Sequence, residues 1–430
     1  MANTNLLGKT ALISALVGSG LLSLPYSAMA ADSLDAALKE SKTTLSFRPR
    51  YENVTQEGIA SGVTTHSDAA TLKTRLTFST GRFFDTAMVL EFDDVTSLKD
   101  VDYNDGSNGE ANPVIADPEG TEVNQAYLSF TGLDKTDMRW GRQRILLDNQ
   151  RFVGGVGWRQ NEQTYDGFSV TNTSVPNLTL FLAQINNVNR IFGEESRPAN
   201  KALWGDHSQD TQLFNGKYSI AGIGDASVYY YRIDNQYVAA LSTKTTGARF
   251  AGAHALDAVN LGYELEYAQQ SEAADNPKSF DADYTLLSLS ATYSGFTFGL
   301  AQETLGADKD AGVAFSTPLA TLHKFEGWAD VFLNTPATGI VDQYATFKYG
   351  FPMGFALMAV YHDFSSDEKP ANGDDDFGSE VDVQLTKTFA NGATVQLKYA
   401  DYSGNENGVA TPASVTSDVS KFWLTATYAI

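Results

Sequence analysis

The sequence predicts an all-β chain: a single transmembrane antiparallel β-barrel of about 18 strands, with short turns at one end and long loops at the other. Three observations lead there. The C-terminus alternates strictly, with Phe422, Leu424, Ala426, Tyr428 and Ile430 on one face and Lys421, Trp423, Thr425, Thr427 and Ala429 on the other. That is the period of a strand with one apolar face, and an uncovered apolar row needs lipid. Segments of the same pattern recur upstream, joined alternately by tight and by long polar connections. Aromatics are plentiful, with Tyr 20 and Phe 25, as the girdles of a membrane barrel require.

Taken in order, the first thirty residues read as a secretory signal. Lys9 supplies a positive start, Ala11 through Leu24 is an apolar stretch, Pro25 breaks it, and Ala28-Met29-Ala30 is a small-x-small cleavage site. That stretch is shorter than the ~20 residues a spanning helix needs. The expected organisation is therefore 1–30 signal peptide, cleaved near Ala30, and 31–430 one barrel domain in the outer membrane of a Gram-negative envelope. Asp32 to Ser41 is expected as a short periplasmic lead-in.

On the first strand Leu45, Phe47, Pro49 and Tyr51 face out, leaving Ser46, Arg48, Arg50 and Glu52 inward. On the second, Leu72, Leu76 and Phe78 face out and Lys73 and Arg75 inward. Short turns are expected at Phe83-Asp85, Leu133-Lys135, Val175-Asn177, Ala221-Gly224, Ser294-Gly295, Gly350-Gly354 and Ala390-Asn391-Gly392, the last carrying the Asn-Gly pair that hairpins favour. The same parity puts Lys217, Arg232, Arg249, Lys348 and Lys398 inward, with Glu91, Asp93, Glu264, Glu266, Glu380 and Asp382 as inward acids. Arg48, Arg50, Lys73 and Arg75 lie on neighbouring strands and form one basic patch, which in a narrow lumen concentrates anions.

The stretch from Trp140 to Gln160 breaks the pattern. It holds Arg142, Arg144, Arg151 and Arg159, Trp140 and Trp158, and the glycines 154, 155 and 157. So many arginines do not face lipid, so the segment is expected to fold into the lumen and narrow it. The parity of Arg142 and Arg144 stays open, since Met138 and Trp140 share their face and a bulge would re-aim them.

Gly141-Arg142-Gln143-Arg144, Asp148 to Gly154, Gly157-Trp158-Arg159-Gln160 and Thr164-Tyr165-Asp166-Gly167 resemble the alginate-export family of outer-membrane porins. The resemblance implies an 18-stranded barrel with an arginine-lined constriction that passes an anionic polyuronate. It makes Arg142, Arg151 and Arg159 candidates for that constriction, together with Arg144; Arg48, Arg50, Lys73 and Arg75 join them on strand parity.

Other classes are disfavoured. The net charge of −22 collects in loops, and nucleic-acid binding needs a basic footprint. With no cysteine there is no disulfide framework. The five histidines stand apart from any nucleophile or metal motif, so no enzyme activity and no cofactor is expected. Asp100 to Gly106 approaches a calcium-loop spacing, but its glycine comes one position late and Ala111 stands where a Glu is needed. The expected function is passive, selective diffusion of anionic solutes, with uronates and other carboxylate-bearing saccharides as candidates. The expected partners are outer-membrane lipid, lipopolysaccharide, the barrel-assembly machinery and the solute. A general diffusion porin, or an adhesin or receptor working through its long loops, is the alternative.

Overall fold

The computed structural model describes residues 33–58, 61–99, 103–369, 373–405 and 416–430. The signal segment 1–30 and Asp100, Val101 and Asp102 of the calcium-like spacing lie outside the described residues. The lead-in is helical over Leu34–Lys39 (α1), capped by the Ser33 hydroxyl, which accepts from the Ala36 N–H.

The strands are β1 Lys42–Gly58, β2 Thr64–Ser79, β3 Thr86–Ser97, β4 Gly120–Phe130, β5 Thr136–Gln143, β6 Thr164–Asn172 and β7 Leu178–Asn189. They continue as β8 Asp206–Ile220, β9 Gly224–Ile233, β10 Thr243–Leu256, β11 Val259–Glu272, β12 Asp281–Tyr293 and β13 Phe296–Leu305. After a short hairpin, β14 Ala307–Asp308 with β15 Val313–Ala314, come β16 Ile340–Phe351, β17 Phe355–Ser365, β18 Asp376–Thr388, β19 Thr394–Ser403 and β20 Ser417–Ala429. All but the hairpin form one 18-stranded antiparallel sheet in which each strand pairs with its neighbours in sequence. It closes where β1 pairs with β20.

Short turns join strands at the end that also holds both ends of the sheet. All seven sequence-predicted turns fall there. An eighth, Asp257-Ala258, carries no glycine to announce it and places Asp257 at φ 50. Ser294 and Gly295 both take positive φ, which matches the twist of the strands they connect.

The outward face is apolar over its middle: Leu128, Phe168, Leu182, Leu289, Phe298, Leu300 and Leu424 are all exposed. A belt this continuous is covered by a bilayer. Toward the long loops the outward positions turn to Asp210, Asp283, Asp363, Asp401 and Asp418, marking where hydrocarbon gives way to water.

Inside, the long-loop half of the lumen is packed and the short-turn half is solvated. Arg50, Glu52, Lys73, Glu91, Asp93 and Trp423 are buried, whereas Ser46, Arg48, Lys217, Thr346 and Lys348 keep exposed surface. Most of the filling comes from two loops that turn inward, 144–163 and 306–339, and the connection before β4 adds Tyr103, Ile115 and Asp117 beside them. Where the first leaves the wall, Gly141 (φ 123) pairs with Tyr127 and Gly167, and an added Cβ would sit 2.3 Å from the Ala126 carbonyl oxygen. Gly141→Ala is expected to destabilise the barrel by about 1–3 kcal/mol through strain at this crossing. Urea unfolding in lipid vesicles measures it, and an unchanged midpoint would remove the close approach as a requirement.

Candidate functional site

Loop 144–163 is held inside by its own backbone and by loop 306–339. The residues Asp148 (φ 47), Gln150 (φ 68) and Val156 (φ 48) turn it sharply. Val153 bridges Leu319 in parallel, Gly154 N donates to the Leu319 carbonyl and Thr321 N to the Gln150 carbonyl. Gly154 is required because a Cβ there would meet Thr321 Oγ1 at 2.3 Å. The inward fold expected of the Trp140 to Gln160 stretch is thus present from Arg144 onward.

The arginines of this loop each bind carboxylates on other elements. Arg151, 0% exposed, donates from Nε to Glu303 on the β13 wall at 2.6 Å and from Nη2 to Glu326 on loop 306–339 at 2.6 Å. Arg159 donates to both oxygens of Glu52 on β1 at 3.1 and 2.9 Å and to Asp330 at 3.4 Å. Arg144 reaches Glu162 at 2.5 Å and Glu91 on β3 at 2.9 Å. A guanidinium suits such posts because its fork can hold two carboxylates while staying charged.

Three of the four wall cations expected as a basic patch, Arg50, Lys73 and Arg75, are buried and matched in the same way. Arg75 makes paired bonds of 2.6 Å to Asp93 and meets Glu162 at 2.8 Å. Lys73 lies 3.4 Å from Asp93 and 3.9 Å from Glu162. Arg50 stands 3.7 Å from Asp117, an ion pair beyond hydrogen-bond reach, and 4.2 Å over the Trp158 ring. Arg48 differs: its three nitrogens go to Gln160 Oε1 and to the carbonyls of Gly157 and Arg159, and no carboxylate lies at ion-pair distance among the described residues. A bulge between Glu91 and Phe92 leaves Asn124 as an extra residue, so Asn124 and Gln125 both donate to Glu91.

Two expectations of inward placement are corrected. Arg142 lies on the outward face of β5, with Trp140, which is 67% exposed; it pairs with Asp166 and Glu194 and not with the lumen. No bulge intervenes in β5, so strict alternation carries Gln143 inward and Arg142 out. Arg144 is inward because the strand has ended by then. Arg232 is also outward: Tyr229, Tyr231 and Ile233 take the inner face of β9. Lys217, Arg249, Lys348 and Lys398 are on the inner face as expected, as are Glu91, Asp93, Glu264, Glu266, Glu380 and Asp382. Sequence reasoning missed Lys324, Glu326 and Asp330, because loop 306–339 has no periodicity for a parity rule to read.

Loop 306–339 is fixed to the wall around Lys398. The Lys398 ammonium lies 3.7 Å from the Trp328 ring centre and 4.3 Å from that of Trp158. His323 Nδ1 is 2.7 Å from Asp330, and its Nε2 is 2.6 Å from Lys398 Nζ. Burial pushes the His323 imidazole down to about 3. It is therefore neutral, donating to Asp330 and accepting from the lysine. The backbone N–H groups of Trp328 and Ala329 donate to Asp382 and Glu380.

Comparisons with known proteins agree with this architecture. The family described as alginate export matches residues 41–300, more than half of the chain. OpdK from Pseudomonas aeruginosa, in a structure with vanillate, superposes with a TM-score of 0.66 at 17% identity, covering 91% of this chain and 99% of that one. OccK9 (OpdG) of the same organism gives 0.68 at 16% identity, covering 92% and 99%, and OccK5 (OpdH) gives 0.65 at 13%, also covering 92% and 99%. No curated protein matches by sequence.

Arg151→Ala leaves Glu303 and Glu326 buried without their cation, a change costing about 3–5 kcal/mol. It should free loop 306–339 and raise single-channel conductance and current noise, whereas Arg151→Met with Glu303→Gln and Glu326→Gln should stay quiet. Acidification acts in the same direction. His323 takes up a proton in the undocked loop below its ordinary 6.5 but resists it when docked until about 3. Docking therefore weakens as pH falls through that window. Current noise should rise from pH 6.5 to about 4, and rise less in His323→Gln; equal rises would remove His323 from the anchoring.

Proposed function

The chain belongs to the alginate-export family, and from that premise we propose that it is an outer-membrane channel for passive, selective diffusion of anionic solutes, with carboxylate-bearing saccharides such as uronates as the candidate class. The inward fold of loops 144–163 and 306–339 carries the reading, because it turns a wide 18-stranded barrel into a narrowed passage. A loop-working adhesin has no need of a lumen ordered to this degree.

Arg144, Arg151 and Arg159 shape the constriction in this reading, with Arg48, Arg50, Lys73 and Arg75 on the wall behind the loop. Arg142 drops out as a lumen residue and faces the lipid and lipopolysaccharide side. That OpdK has been seen with vanillate, a carboxylate, supports the solute class. Conduction needs weak binding, since a deep trap would stop flow.

Single-channel recording of the refolded chain under a salt gradient tests the proposal. The expected result is an anion-selective reversal potential and reversible current block by added oligouronates. A cation-selective potential would overturn the anionic reading, and a closed bilayer would turn attention to the loops.

A further inference from the structure

The lumen cations differ in how far their charge is matched and covered. Arg50, Lys73, Arg75, Arg144, Arg151 and Arg159 are buried against carboxylates. A paired charge presents little more than a dipole to a passing solute, and a dry side chain cannot touch one. In the solvated half, by contrast, Arg48, Lys217, Lys324 and Lys348 keep exposed surface and have no carboxylate at ion-pair distance among the described residues; all three Arg48 guanidinium nitrogens are already taken by Gln160 Oε1 and the Gly157 and Arg159 carbonyls.

Two of the three lysines belong together. Lys324 projects from the underside of loop 306–339, where its Nζ donates to the Asn149 carbonyl at 2.8 Å. Asn149 Nδ2 in turn donates to Glu264 at 2.9 Å, and Glu264 pairs with Arg249 at 2.8 Å. On the wall, Glu264 of β11 is in register with Ser288 of β12, Ala301 of β13 and Tyr344 of β16, two inward positions from Lys348, so these groups line one stretch of the lumen. Lys348 lies on the inner face of β16, paired with Thr297 of β13, whose hydroxyl is 2.8 Å from that of Thr292. The inner wall beside it carries Ser288, Ser290 and Thr346, with only Gly299 and Ala301 between hydroxyls, so it offers both room and hydrogen-bonding partners.

We propose that Lys324 and Lys348, beside the Arg249–Glu264 pair, are the cations that contact the solute, and that their ligand is a hydroxylated carboxylate. The ammonium groups meet the carboxylate, and the serine and threonine wall meets the hydroxyls. Lysines fit the task because a hydrated point charge on a flexible stem holds an anion more loosely than a guanidinium fork does. The inference rests on the anion-channel reading and moves its selectivity from the buried arginines to these lysines.

The test uses the full mature chain in planar bilayers, with galacturonate as probe and galactose as its uncharged counterpart. Lys324→Gln with Lys348→Gln should lower the anion preference and weaken galacturonate block about fivefold, the sum of two exposed charge contacts. Lys→Arg at both sites should keep the block, and unchanged heat-shifted gel mobility shows that the variants fold. If the wild type is anion-selective and the double variant is unchanged, the lysine assignment falls while the channel reading stands. If the wild type is not anion-selective, the channel reading itself falls. Equal block by galactose would overturn the carboxylate class.

Discussion

A strand crossing hydrocarbon can leave no backbone N–H or C=O unpaired, and the pairing of β1 with β20 meets that demand for the whole sheet. Once the sheet closes, every inward side chain shares an interior that is neither lipid nor bulk water. The outward row then carries Leu and Phe. The inward row is free to carry charge. Loops longer than a tight turn are confined to one end, and several of them, 144–163 and 306–339 above all, fold into the interior.

What enters that interior must bring its own counter-charges. Loop 144–163 brings Arg144, Arg151 and Arg159, and the wall and loop 306–339 answer with Glu91, Glu52, Glu303, Glu326 and Asp330. Such pairs are costly to desolvate, but removing one partner costs more. They serve as registration: Arg151 can satisfy two carboxylates on separate elements only if both loops and the wall stand in one arrangement. The same matching neutralises the arginines, so their number is a poor guide to the field a solute meets.

Much of this was legible from alternation. The lipid row of β20, the inward placement of Arg50, Lys73, Arg75 and Lys348, and seven of the short turns follow from a period of two and from turn chemistry. The inward fold of the arginine-rich stretch follows from the cost of placing it in lipid. Parity failed at Arg232, where the aromatics Tyr229 and Tyr231 pack inside against Phe152 instead of facing lipid. An aromatic row is consistent with either face, and only the loop covering it decides.

Alternation along the chain was enough for the barrel, its approximate strand number and most of the charges that face the lumen, Arg142 and Arg232 excepted, because a strand's two faces are set by local geometry and a bilayer tolerates only one of them. Tertiary structure alone decided which of those charges are spent. Glu303, Glu326 and Asp330 lie far along the chain from Arg151 and Arg159, as Glu162 does from Arg75, and they meet only when the loops dock; Lys324 reaches Asn149, and through it Glu264 on the wall, in the same way. Coulomb pairing depends on separation in space, which alternation along one strand does not encode.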